Sequence, residues 1–159
     1  MIILTILTGC SNRRYKGKVM KNSRVLIGII GLDQHEVGAV AVARMLRDAG
    51  MEVVYAGRFN LPAMIVQTAL QEDVDVIGLS VHSWEYLYYL PELMSLLEKK
   101  QVAIPLIVGG SIITRADEAG LKKMGIAAVF GPSATPQGII DWITALSGEN
   151  RGLRNKKYG

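Results

Sequence analysis

An acidic residue and a histidine stand two positions apart in the segment DQHEVG (residues 33–38), directly after an apolar run. Side chains two apart in an extended loop can point to the same side, so the Asp33 carboxylate can accept a hydrogen bond from one ring nitrogen of His35. The other ring nitrogen is then free to bind a metal, and the carboxylate raises its basicity. An isolated D-x-H pattern is more often a polar surface turn, so the pair indicates a metal site only if the neighbouring sequence supports one.

Those surroundings are a regular alternation of short apolar runs with longer amphipathic segments over residues 24–147. The alternation predicts five β-α units, with strands at 24–30, 52–57, 74–80, 104–110 and 127–131 and helices at 36–50, 61–73, 85–100, 115–124 and 136–147. Gly50 is the predicted stop of the first helix, and Pro62 fits the first turn of the second. Because the strands are apolar throughout, we predict a parallel sheet covered by helices on both faces.

Such a sheet makes a single open, doubly wound α/β domain of the Rossmann or flavodoxin type. Ligands bind to these domains outside the carboxyl ends of the strands, where the strand order reverses. The polar and glycine residues that follow the predicted strands all fall at that edge. They are Asp33 and His35, Ser80 and His82, Gly109 and Gly110, and Gly131 and Pro132.

The charge distribution argues against a nucleic-acid partner. The chain has a formal net charge of +4, but residues 1–23 carry five basic and no acidic side chains, and residues 148–159 carry a net +3. Residues 24–147 therefore sum to −4, and short basic ends are usually solvated. No run approaches the roughly 20 apolar residues of a membrane span, so we predict no membrane partner.

The first residues resemble a bacterial lipoprotein signal, because LTGC ends at Cys10, the single cysteine of the chain. No positive residue precedes the apolar run, which is short for a signal core. We favour translation from Met20 and predict residues 1–23 to be a disordered extension or the product of a misassigned start. Residues 24–147 form the predicted domain and residues 148–159 a basic tail. A lone cysteine and a doubtful signal lead us to expect a cytoplasmic protein.

Common nucleotide and phosphate sites fit the sequence poorly. GIIGLDQHEVG does not supply the G-x-G-x-x-G of a dinucleotide site, and no lysine followed by a hydroxyl residue completes a P-loop. A phosphoacceptor domain would need clustered acids at the strand ends, where only Asp33 is well placed.

Four motifs in order instead resemble those of cobalamin-binding domains of the methylmalonyl-CoA mutase type. DQHEVG matches D-x-H-x-x-G, VDVIGLSVHS is similar to the third strand with its S-x-L, IVGGSI to the double glycine, and GIAAVFGPSATP to the closing G-V-x-x-x-F-G-P-G-T stretch. The resemblance covers residues 24–143. It implies that His35 replaces the cofactor's own base as the lower axial ligand of cobalt, and that the displaced dimethylbenzimidazole tail enters a slot between the first and third strands.

The resemblance also implies which residues bind adenosylcobalamin or another cobalamin. Gly38 would let the tail pass the start of the helix, Ser80 would offer a hydroxyl to the base, and Gly109 and Gly110 would let the backbone approach the nucleotide. The implied cofactor-binding set is Asp33, Gln34, His35, Gly38, Ser80, His82, Gly109, Gly110, Gly131 and Pro132.

The function that the resemblance implies is that of a small subunit of an adenosylcobalamin-dependent acyl-CoA mutase, which rearranges a carbon skeleton by radical chemistry. This subunit would hold the cofactor without catalytic residues of its own, and a separate large barrel subunit would bind the acyl-CoA substrate. The alternatives are a corrinoid carrier protein for methyl transfer and a non-enzymatic cobalamin sensor or delivery module. Carriers usually have a helical cap domain before the fold, for which the first 23 residues are too few.

Several positions depart from the family pattern. Ile29 stands where mutase-type domains usually have a lysine that completes a His-Asp-Lys relay, His82 replaces the leucine of S-x-L, and Ser133 and Ala134 replace a glycine and a threonine. His82 either lines the tail pocket or lies at the surface, and we favour the surface. The aromatic residues that follow it have three possible positions, on the corrin rim, on a partner or in the core; they are Trp84, Tyr86, Tyr88 and Tyr89.

Overall fold

The computed structural model describes the backbone of residues 23–157 and the side chains of residues 23–146. The predicted extension at 1–23 lies outside the described residues except for Ser23, and so do the side chains of the predicted basic tail at 148–159. Five strands and five helices alternate along the described chain: β1 (Arg24–Ile30), α1 (Glu36–Asp48), β2 (Glu52–Asn60), α2 (Pro62–Gln71), β3 (Val76–Ser80), α3 (Tyr86–Lys99), β4 (Leu106–Gly109), α4 (Arg115–Lys123), β5 (Ala128–Phe130) and α5 (Pro136–Lys157).

The strands form one sheet in the order β2-β1-β3-β4-β5, and every neighbouring pair is parallel. This is the flavodoxin-like order, in which the direction of winding reverses between β1 and β3. The predicted α/β fold is confirmed. The carboxyl ends of β1 and β3 therefore meet at the point where such folds bind ligands.

The two faces of the sheet are covered by different helices. Leu26 and Ile30 of β1 pack in a core with α2, α3 and α4, whereas Val25, Ile27 and Ile29 pack with α1 and α5. The alternation follows from the two-residue period of a strand, because successive side chains point to opposite faces. Both faces of β1 are therefore buried, as its uninterrupted apolar sequence predicts.

Local signals account for the helix ends. The Gly50 backbone has φ 88° just after α1, a left-handed conformation that glycine adopts without steric cost, so the predicted stop is confirmed. Pro62 begins α2, as predicted. The Thr114 hydroxyl accepts from the backbone N–H of Asp117, and the Asp117 carboxylate accepts from the backbone N–H of Thr114, which makes a capping box for α4.

Two predicted elements are longer in the structure. β2 continues three residues past the predicted end at Gly57, with register shifts against β1 and positive φ angles at Gly57 and Phe59. It is an edge strand with several exposed residues, so it is less covered than the central strands of the sheet. α5 continues to Lys157 instead of ending near 147, because an interior glycine such as Gly148 costs a helix only about 1 kcal/mol.

Among the described residues, no helix is both long enough and apolar enough to cross a membrane.

We predict opposite effects of alanine at two glycines. A Cβ on Gly110 would overlap the backbone carbonyl oxygen of Val81, whereas a Cβ on Gly120, exposed in α4, meets nothing within 4 Å. Gly110→Ala should lower the free energy of unfolding by about 3 kcal/mol. Gly120→Ala should raise it by about 0.5–1 kcal/mol, because alanine favours the helix. Urea denaturation measures both, and a Gly110→Ala protein as stable as the wild type would contradict the described packing.

Candidate functional site

The Asp33 carboxylate joins the loop after β1 to the loop after β3. Its Oδ1 accepts hydrogen bonds from the backbone N–H of His35 at 2.9 Å and from the His35 ring at 2.7 Å, measured to Nδ1. Its Oδ2 accepts from the backbone N–H of His82 at 2.7 Å. The Asp33 side chain is only 3% exposed, so one buried carboxylate organises both histidines.

These hydrogen bonds keep the carboxylate ionised. Burial acts to raise the pKa of Asp33, but the N–H groups of His35 and His82 and the His35 ring outweigh it, so the pKa lies below its ordinary value of 3.8. An ionised carboxylate is an acceptor only, which means that Nδ1 of His35 must carry the proton it donates. Nε2 of a neutral His35 ring then holds the lone pair that a metal ligand needs.

The His35 ring projects away from the core. Its side chain is 68% exposed, and the residue is the N-cap of α1. Leu32 and Val37 on either side of it are 67% and 85% exposed. The predicted pairing of Asp33 with one ring nitrogen is therefore present, and the other ring nitrogen is available to a large ligand placed over this edge.

The loop that carries Asp33 is held by its neighbours. Gly31 has φ 72° and donates its backbone N–H to the Asn60 carbonyl at 2.8 Å, and the next backbone N–H, of Leu32, donates to Glu85 at 2.8 Å. A Cβ on Gly31 would lie 2.6 Å from the Tyr89 ring, so the turn requires glycine for both its conformation and its packing.

A second set of contacts fixes the start of α1 beside His35. The Tyr55 hydroxyl donates to the Glu36 carboxylate at 2.9 Å, and Arg58 lies 3.3 Å from the same carboxylate. Burial, and then the adjacent Glu36 carboxylate, raise the pKa of Tyr55 to about 12. Tyr55 therefore stays protonated and remains a donor over the whole neutral range.

Ile29 does not extend the Asp33–His35 pair. It is fully buried among the apolar side chains that pack with α1 and α5. The second carboxylate oxygen of Asp33 is instead occupied by the His82 backbone N–H. In this chain, a main-chain group supplies the contact that the resemblance assigns to a lysine.

A cavity of about 220 Å³ opens at the same edge of the sheet. It lies at the carboxyl ends of β1, β3, β4 and β5, with α1 and α5 as walls. Seven of the ten predicted cofactor-binding residues line it: Gly38, Ser80, His82, Gly109, Gly110, Gly131 and Pro132. Asp33, Gln34 and His35 are not in its wall; Asp33 is buried behind His35 and His82, and Gln34 is exposed on the loop.

His82 lines this cavity, so the favoured prediction that it lies at the surface is wrong. A Cβ on Gly38 would lie 3.0 Å from Cε1 of His82 and 3.6 Å from the Ser80 hydroxyl oxygen. The His82 and His35 ring centroids are 5.8 Å apart. The backbone hydrogen bond to Asp33 holds residue 82 at the edge of the sheet, which turns its side chain inward.

The two adjacent glycines serve different purposes. Gly110 is required by the protein itself, because a Cβ there would overlap the Val81 carbonyl. A Cβ on Gly109 would make ordinary contacts, 3.6 Å from the Phe130 carbonyl oxygen. Both glycines line the cavity, and the close approach of their backbone to a nucleotide stays a prediction.

The aromatic segment after His82 divides between core and surface. Tyr86 is buried in the core and Tyr89 is half-buried, whereas Trp84 and Tyr88 are exposed. Ser133 and Ala134, which depart from the family pattern, are both exposed, and Ala134 lines the cavity.

Apolar residues of the wall were not singled out from the sequence. They include Ile27, Val42, Gly78, Ile107, Phe130 and Ile139, all from predicted strands or helices. Their side chains cannot be distinguished from core residues by pattern alone. Gly78 is the exception, because an isolated glycine inside a strand indicates a close approach; a Cβ there would lie 2.7 Å from Cδ1 of Ile27.

Comparison with known proteins identifies the family. The profile of the B12 binding domain matches residues 23–140. This chain belongs to the B12-binding domain family. Within the family, it is 41% identical over 123 residues to the 2-hydroxyisobutanoyl-CoA mutase small subunit of Aquincola tertiaricarbonis, covering 77% of this chain and 90% of that protein.

A second relative of this B12-binding domain is the pivalyl-CoA mutase small subunit of Xanthobacter autotrophicus, 38% identical over 135 residues, which covers 85% of this chain and 90% of that protein. A solved cobalamin-binding protein of Desulfitobacterium hafniense DCB-2 superposes with a TM-score of 0.69 at 17% identity, over 79% of this chain and 60% of that one. At that identity, the superposition supports the fold alone.

The cavity is large enough for the aromatic base of a cobalamin's nucleotide tail. An apolar cavity of about 150 Å³ holds benzene, so the space here is sufficient for a bicyclic aromatic base. Its wall is apolar with a few polar groups, which is the usual composition of a small-molecule site. If a cobalamin binds at this edge, His35 is the residue that would ligate its cobalt.

We predict that Asp33→Asn disturbs both histidines. The amide cannot serve as acceptor at both oxygen positions, so a hydrogen bond to the buried N–H of His82 or to His35 is lost, and the free energy of unfolding should fall by about 1–3 kcal/mol. Nitrogen-15 NMR should show the His35 ring losing its fixed Nδ1–H tautomer. Asp48→Asn, at the exposed end of α1, is the control and should change stability by less than about 0.5 kcal/mol. Equal effects of the two substitutions would contradict the described role of Asp33.

Proposed function

We propose that this protein is the cobalamin-binding small subunit of an adenosylcobalamin-dependent acyl-CoA mutase. The observation that carries the proposal is the position of the Asp33–His35 pair at the reversal point of the sheet, directly beside a cavity that suits the nucleotide tail. The two mutase small subunits, which align with most of this chain, support it. They also favour a mutase subunit over a corrinoid carrier or a sensor.

Within this proposal, each residue has a definite role. His35 is the lower axial ligand of cobalt, and Asp33 is a positioning residue that fixes its tautomer. Gly38, Ser80, His82 and Gly109 receive the nucleotide tail, and the remaining residues of the set (Gln34, Gly110, Gly131 and Pro132) border the bound cofactor. The cofactor, when bound, supplies the radical chemistry of carbon-skeleton rearrangement, while the protein supplies binding, ligation and orientation.

The proposed partner is a large subunit that binds the acyl-CoA substrate in a barrel. The strands of the described residues form an open sheet. Two relatives are named small subunits, which supports a separate large chain as the source of the barrel. Leu32 and Val37 leave apolar surface exposed on both sides of His35. Apolar surface at a ligand-binding edge is expected where a cofactor and a partner cover it.

We predict that the protein binds adenosylcobalamin and hydroxocobalamin with histidine ligation, and that His35→Ala abolishes this ligation. Ultraviolet-visible titration of the full chain should show the spectrum of a displaced benzimidazole base with a histidine on cobalt. In His35→Ala, the lower axial histidine is missing, so this spectrum should not form. Gln67→Ala, exposed on α2, is the matched control and should titrate like the wild type. A wild-type protein that leaves the free-cofactor spectrum unchanged would overturn the proposed function.

We predict that the loaded subunit has no mutase activity by itself. Adding the large mutase subunit of the same organism should produce acyl-CoA isomerisation, because the substrate site resides there. Activity should rise with the amount of small subunit until the two are equivalent, and it should remain absent with His35→Ala. Chromatography of the acyl-CoA products measures the isomerisation. Isomerisation by the isolated small subunit would contradict the proposal that the large subunit binds the substrate.

A further inference from the structure

His82 is the imidazole side chain in the wall of the cavity. Apart from His82, the polar side chains of this wall are the hydroxyls of Ser80 and Ser111. In a mostly apolar pocket, a few polar groups set the orientation and the specificity of the ligand. The imidazole of His82 is therefore one of the few groups in this wall that can set which ligand the cavity selects.

The His82 ring and the Ser80 hydroxyl converge on one place in the cavity. A Cβ on Gly38 would lie 3.0 Å from the His82 ring and 3.6 Å from the Ser80 oxygen. The absence of a side chain at Gly38 thus leaves a gap bordered by an imidazole and a hydroxyl. An aromatic base inserted there would meet two hydrogen-bonding groups.

The His82 ring has an unused hydrogen-bonding atom. Among the described side chains, its Nδ1 is the buried nitrogen or oxygen without a hydrogen-bond partner. Leaving such an atom unpaired is unfavourable, and an exception calls for an explanation such as a missing ligand. A flip of the ring about χ2 exchanges the positions of its carbon and nitrogen atoms, so the imidazole can present a nitrogen where Cε1 borders the gap at Gly38.

We propose that His82 is a specificity-determining residue that hydrogen-bonds the nucleotide base of the bound corrinoid. This inference rests on the proposed function and deepens it. A base displaced from cobalt presents a ring nitrogen with a free lone pair, to which a neutral imidazole can donate. The cavity therefore selects corrinoids whose base carries a ring nitrogen over those whose base has none.

His82→Leu isolates the contribution of the ring. The hydrogen bond to Asp33 comes from the main-chain N–H of residue 82, which any residue except proline retains. Leucine also fills a volume in the wall comparable to that of histidine, without a hydrogen-bonding group. The variant should therefore preserve the Asp33–His35 pair while removing the hydrogen bond to the base.

Equilibrium dialysis of the full chain measures the dissociation constants of three probes that share the corrin ring. They are cobalamin, a cobamide whose base is a phenol without a ring nitrogen, and cobinamide, which lacks the nucleotide. His82→Leu should weaken cobalamin binding about tenfold, equivalent to about 1.4 kcal/mol. Binding of the phenolic cobamide and of cobinamide should stay unchanged. For each probe, the dissociation constant of the variant is divided by that of the wild type. This ratio removes the free energy of displacing the base from cobalt, because that term is the same for both proteins.

His82→Gln provides a conservative rescue, because its amide donates a hydrogen bond from a similar position. It should recover part of the preference for cobalamin over the phenolic cobamide, and thermal unfolding should show both variants folded. An equal change for all three probes, or an unaltered preference for cobalamin, would overturn the role of His82 and leave the proposed function standing. A wild-type protein that binds none of the three would overturn both.

Discussion

A single buried carboxylate holds the site together. Asp33 accepts hydrogen bonds from the loop after β1 and from the loop after β3, and these strands are neighbours at the point where the winding of the sheet reverses. Ionisation of Asp33 is favoured by three N–H donors, and its charge in turn fixes the tautomer of His35. The geometry of His35, the proposed cobalt ligand, thus depends on the pairing of two strands that are far apart in the sequence.

The same topology creates the cavity. Because α1 and α5 cover one face of the sheet, the carboxyl ends of the central strands open into a space between these helices and the strand edges. Gly38, Gly109 and Gly110 all line this space, and Gly110 is also required by the protein's own Val81 carbonyl. Internal packing therefore imposes glycine at position 110, whereas a Cβ at position 109 would make only ordinary contacts.

The sequence predicts most of what local chemistry determines. The five β-α units, the stop at Gly50, the start at Pro62 and the Asp33–His35 pair depend on period, backbone preference or short spacing, and the structure contains all of them. The extension of β2 and the inward position of His82 depend on contacts between distant segments. No local pattern encodes the edge position of β2 or the hydrogen bond from residue 82 to Asp33.

The contacts of Asp33 do not require a lysine at position 29, where this chain has isoleucine. Residue 29 lies in the core beneath α1 and α5, where a lysine would need a partner to offset the cost of burying its charge. Oδ2 of Asp33 already accepts a hydrogen bond from the backbone N–H of His82, so it is not available to pair with such a lysine. A main-chain N–H is present whichever side chain the residue carries, proline excepted. The hydrogen bond to Asp33 therefore places no demand on the side chain at position 82, and the imidazole of His82 can line the cavity without disturbing that bond.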